Sequence, residues 1–153
     1  MKILKIILIT GFLFGLQTAC DKEPVPSIPI AQVNLELDLL GLDNKLNGSL
    51  SFIEYTVPRK KTERLGFGGI LVVNGRGEGT INLFAYDLAC PNEAKRDTRI
   101  KPQSSGLQAI CPKCNAVYNI ANGLGHPESG SKYRLGQYTV VTVSEGVIYK
   151  VVN

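Results

Sequence analysis

The chain has 153 residues, room for one domain with a modest core and some appendages. Hydrophobic residues at 44% and charged residues at 20% exclude an intrinsically disordered chain. Net charge is +4, and setting aside Lys2 and Lys5 leaves 15 basic against 13 acidic residues, an excess too dilute for a nucleic-acid partner.

Lys2 and Lys5 give a short positive start, and residues 6–16 form an unbroken run of apolar and small residues. That run is too short to span a bilayer and has no polar face, so residues 1–19 read as a helical export signal. Gln17-Thr18-Ala19-Cys20 resembles the lipobox of bacterial lipoproteins, with Gln17 where leucine is usual and Leu16 one place early. The resemblance implies lipidation of Cys20, which anchors the protein to a membrane of the bacterial envelope. The alternative is ordinary secretion after cleavage. Residues 20–31 hold Pro24, Pro26 and Pro29 and read as an extended tether of roughly 3 Å per residue. Residues 32–153 remain for the domain.

Within it, Val33, Leu35, Leu37 and Leu39 alternate with Asn34, Glu36 and Asp38, the period of a half-buried strand. Residues 44–48 read as a turn, and Asn47-Gly48 as turn chemistry rather than part of a glycosylation site. Residues 52–57 form a second strand, closed by Pro58. Arg59, Lys60, Lys61 and Arg64, with Glu63 among them, read as a solvated loop. Ile70-Leu71-Val72-Val73 is a short continuous apolar strand. The glycines of residues 75–79 join it to another strand, residues 81–86, so they punctuate a hairpin and make no nucleotide site. Residues 138–143 and 147–152 flank Ser144-Glu145-Gly146, which predicts a hairpin with a glycine bulge. No long helical period occurs after the signal. The expected fold is all-β, a small antiparallel sandwich or barrel.

Between the strands lie Cys90-Pro91-Asn92 and Cys111-Pro112-Lys113-Cys114-Asn115-Ala116-Val117-Tyr118, followed by Asn122-Gly123 and a proline loop. This order, with Gly69-Ile70 and Phe84-Ala85-Tyr86-Asp87 before it, resembles the Rieske iron–sulfur domain across roughly residues 33–153. The resemblance implies two loops clamping a [2Fe–2S] cluster at one tip of an antiparallel β structure. The family's ligands are Cys-x-His in the first loop and Cys-x-x-His in the second. Cys90 and Cys111 match its cysteines, while Asn92 and Cys114 stand where its histidines belong. Ala94 and Lys113 occupy or neighbour the places of its optional disulfide.

A neutral amide is a poor iron ligand, whereas Cys114 binds as thiolate. The exchange adds negative charge and implies a potential below the usual Rieske range for any cluster held there. Three outcomes stay open. Cys90, Cys111 and Cys114 hold iron or zinc, with His126, the only histidine, completing a Cys3His set or standing as an exposed loop residue. With Cys20 lipidated, three thiols instead leave one disulfide and one free thiol, a cluster-free fold that binds an envelope protein partner. Electron transfer to a redox partner is the third. A thioredoxin-like role for Cys111 and Cys114 is not expected, because a strand and not a helix follows them. Asp87 and Glu93 are isolated carboxylates, Tyr118, Ile120 and Tyr138 read as core or loop support, and no set of side chains points to an enzyme.

Overall fold

The computed structural model describes residues 28–77 and 79–153. The export signal, its expected helix, Cys20 and most of the tether lie outside the described residues. Eleven strands follow one another among the described residues: β1 (Val33–Asp38), β2 (Phe52–Tyr55), β3 (Arg64–Leu65), β4 (Ile70–Asn74), β5 (Leu83–Asp87), β6 (Lys101–Pro102), β7 (Gln108–Ile110), β8 (Val117–Asn119), β9 (Pro127–Ser129), β10 (Gln137–Ser144) and β11 (Ile148–Val152). A 3-10 turn, Asn44–Asn47, sits where the sequence predicts a turn. The fold is all-β, as expected.

A seven-stranded sheet has the order β2-β4-β5-β10-β11-β1-β3, and a four-stranded sheet the order β6-β7-β8-β9. Every strand pairing is antiparallel. The alternation in β1 buries Val33, Leu35 and Leu37, whereas Glu36 is exposed. The hairpin of β10 and β11 forms with a register shift between Thr142 and Ser144. Gly146, at φ +69°, makes its turn, a conformation that costs a side-chain-bearing residue about 1 kcal/mol or more.

The continuous apolar run of β4 has a structural reason. Ile70 and Val72 enter one core with Leu35, Leu37 and Val151. Leu71 and Val73 point the other way, into a second core with Tyr118, Ile120, Cys90 and Cys111. In β5, Leu83 and Ala85 join the first core and Phe84 and Tyr86 pack with the second. β4 and β5 are therefore covered on both faces, so both faces must be apolar. The second core lies beneath the cysteine loops.

The basic loop differs from the solvated one expected. Glu63 is 3% exposed, and its carboxylate accepts the backbone N–H groups of Arg59 and Lys60 at 2.5 and 3.2 Å. Arg59 also donates to Asp43 (2.8 Å), a second buried carboxylate, which accepts the Tyr55 hydroxyl as well (2.8 Å). Buried carboxylates need such donors. The run of basic residues is thus partly a staple that fixes the 58–64 loop against the turn after β1.

Candidate metal centre

The two cysteine loops are built alike. Cys90 follows the Ala89–Arg99 bridge, and Cys111 follows Ile110, which pairs with Val117 of β8. Each cysteine is succeeded by proline, which cannot extend the ladder. The carbonyl of Cys90 accepts the N–H of Ala94 and that of Cys111 accepts the N–H of Asn115, both at 2.9 Å. Ala94 (φ +48°) and Asn115 (φ +58°) both adopt the left-handed conformation four residues after the cysteine. Strained backbone repeated at the same place in two loops aims the two thiols at a common point.

Asp87 holds the first loop to the sheet. Its buried carboxylate accepts the N–H groups of Phe67 (2.9 Å), Gly68 (3.0 and 3.2 Å) and Ala89 (2.7 Å), and the Tyr138 hydroxyl (2.5 Å). Gly68 is required there, because a Cβ on it would lie 2.5 Å from the Ala89 nitrogen. Tyr138 supports the loop in this way, as the sequence predicts.

The sulfurs of Cys90, Cys111 and Cys114 all lie within 4.8 Å of one another, and the three are free thiols. Cys90 and Cys111 are fully buried, whereas Cys114 is partly exposed at the mouth. The Cys90 and Cys114 sulfurs are 3.6 Å apart. Burial pushes the Cys90 thiol up to about 12, helped by its hydrogen bond with Cys111 and opposed by the backbone N–H of Asn92. Burial also pushes Cys114 up, but hydrogen bonds from the Ala116 N–H, the Asn92 amide and the other two cysteines outweigh it. They leave Cys114 below the ordinary thiol value. The Tyr118 hydroxyl lies 3.8 Å from the Cys90 sulfur, and burial keeps it neutral well beyond the usual tyrosine range.

A Rieske-type [2Fe–2S] cluster needs two ligand pairs on two irons set apart by bridging sulfides. Three sulfurs gathered round one point suit a single ion instead. With metal–sulfur bonds of about 2.3 Å, tetrahedral ligands stand about 3.8 Å apart, and the Cys90–Cys114 separation of 3.6 Å is of that size. Asn92 is engaged elsewhere. Its Nδ2 donates to the Gly130 carbonyl (2.7 Å) and toward the Cys114 sulfur (3.5 Å), and its Oδ1 accepts from the Ser131 hydroxyl (2.7 Å). The residue in the first histidine's place braces the 130–133 loop and leaves no nitrogen for iron. The residues present do not fit the histidine-ligated cluster, and they do fit one thiophilic ion.

His126 is not among the atoms gathered in the group, which comprises the three cysteines alone among the described residues. Its backbone carbonyl accepts the Asn119 N–H (2.9 Å), beside the pairing of Tyr118 with Pro127. The structure thus assembles three of the four ligands of the Cys3His alternative. Three contributors were not legible as such. Tyr118 read as core support, yet its hydroxyl reaches a thiol. Ser131 carried no signal at all, and Asp87 read as an isolated carboxylate because three of its four partners come from distant segments. No family model, curated protein or solved structure matches the chain, so its function has to be argued from this site.

Proposed function

We propose that this protein is a lipid-anchored envelope protein whose Rieske-like sheet presents a thiolate metal site at its tip. The observation that carries the reading is the convergence of the sulfurs of Cys90, Cys111 and Cys114 within 4.8 Å. Three thiols from two loops, two of them buried in the second core, form a donor set that gains stability when its sulfurs act as ligands. Anchoring rests on the lipobox-like stretch before Cys20. The acyl chains would hold the domain to a membrane, and the proline-bearing tether would set the site off from the lipid.

The site has no general acid and base and no nucleophile paired with a base, so the reading is metal binding and not an enzymatic turnover. The test is metal and acid-labile sulfide analysis of protein purified without oxygen. A stoichiometric thiolate-bound metal supports the proposal, and metal-free protein with three titratable thiols refutes it. Anchoring is tested separately by Cys20→Ser, which is expected to move the protein from the detergent phase to the aqueous phase.

A second reading rests on the 3.6 Å contact between Cys90 and Cys114. Oxidation by a disulfide-bearing partner, which takes up the two electrons and two protons, would close it to the disulfide length of about 2.05 Å, tie the two loops without metal and leave Cys111 reduced. Non-reduced protein would then be two hydrogens lighter and show one titratable thiol. It would act as a binding lipoprotein through its loops.

A further inference from the structure

The two loops that carry the thiols share more than a Cys-Pro start. In both, the residue four places on is left-handed and donates its N–H to the cysteine carbonyl at 2.9 Å. The residue three places after the cysteine stands immediately before that left-handed residue in each loop. In the second loop that residue is Cys114, a member of the sulfur group. In the first loop it is Glu93, with only 18% of its side chain exposed. A carboxylate oxygen is an ordinary fourth ligand for zinc, at about 2.0–2.2 Å.

Resting on the metal-binding reading above, we propose that the site takes one tetrahedral ion of the Zn(II) class, held by Cys90, Cys111 and Cys114, with the Glu93 carboxylate as the fourth ligand. Each loop then contributes one pair of donors, Cys90 with Glu93 and Cys111 with Cys114. In the structure Glu93 pairs with Lys113 of the opposite loop, and its carboxylate lies outside the sulfur group. Binding turns the carboxylate from Lys113 to the metal. Lys113 stays beside a centre whose four anionic donors exceed the ion's charge. The three thiols release their protons to solvent as the ion enters, so affinity falls as pH falls. A single ion at the open end of the second core would join the loops at residues 90–93 and 111–114.

The experiment titrates the reduced full chain, anaerobic and in detergent, with Co(II) and with Zn(II). It compares the wild type with Glu93→Gln and Glu93→Cys. The expected result is one equivalent bound, with thiolate-to-cobalt charge transfer and tetrahedral ligand-field bands. Glu93→Gln should weaken zinc binding by at least about tenfold and shift the ligand-field bands. Glu93→Cys should restore binding and raise the charge-transfer intensity by about one third, as four thiolates replace three. A purely structural role for Glu93 would not move the cobalt spectrum, and an unchanged spectrum and affinity in Glu93→Gln overturns the assignment. Reconstitution of two irons and two sulfides in place of one ion overturns this inference and leaves the metal-binding reading intact. Binding of neither cobalt, zinc nor iron overturns both.

Discussion

Cys114 and Cys90 occupy one cluster and have opposite chemistry. Cys114 stands at the mouth with hydrogen-bond donors around its sulfur, whereas Cys90 is buried and its thiol is pushed up to about 12. In reduced, metal-free protein, alkylation near neutral pH is expected to modify Cys114 first and Cys90 only after unfolding. Peptide mapping by mass spectrometry checks the order. The shift at Cys90 also sets a pH dependence. Its folded value is raised above the reference of 9.0, so the stability it contributes is complete below 9.0 and is lost as pH rises toward about 12. Denaturation midpoints of the metal-free protein should fall across that window. Asp87 ties the start of the first cysteine loop to the sheet. Asp87→Asn replaces one acceptor oxygen with a donor facing N–H and O–H groups. It should cost about 2 kcal/mol in chemical denaturation and loosen the loop that starts at Cys90.

The strands differ in how their neighbours constrain them. β1 has one buried face and reads as clean alternation, whereas β4 and β5 are buried on both faces because the small sheet covers one of them. The hairpin of β10 and β11 depends on one glycine. A Cβ at Gly146 meets no atom within 4 Å, so Gly146→Ala tests backbone conformation without steric crowding. The expected cost is about 1 kcal/mol, seen as a lower midpoint with an unchanged slope of the denaturation curve. The cysteine loops are the other informative elements. Each leaves a short ladder, turns at Cys-Pro and closes through a left-handed residue. That local repetition, more than the sulfur count, sets where a fourth ligand would come from.

At the scale of the molecule, the large sheet was legible because period-two patterns and glycine turns are local signals. β1, β2, β4 and the β10–β11 hairpin stand close to where those signals place them. Most of the small sheet was not legible. β6 has two residues and β7 and β9 have three each, too short to show a period, and their burial depends on β4 and β5 across the second core. The candidate site divides in the same way. Cys90, Cys111 and Cys114 announce themselves by residue type and spacing. Asp87, Tyr118 and Ser131 acquire their roles mainly through partners 19 to 51 residues away, which one strand's pattern cannot encode. Glu63 shows the reverse error, a charge that reads as solvated and is buried by the staple it forms with Arg59.

The account depends on three sulfurs binding one ion. X-ray absorption at the zinc edge of the zinc-loaded, reduced protein tests this most directly. The account predicts three sulfur scatterers at about 2.3 Å and one lighter scatterer at about 2.0–2.2 Å. A first shell of oxygen or nitrogen alone, or a short metal–metal vector in the iron-loaded protein with no zinc bound, would contradict it.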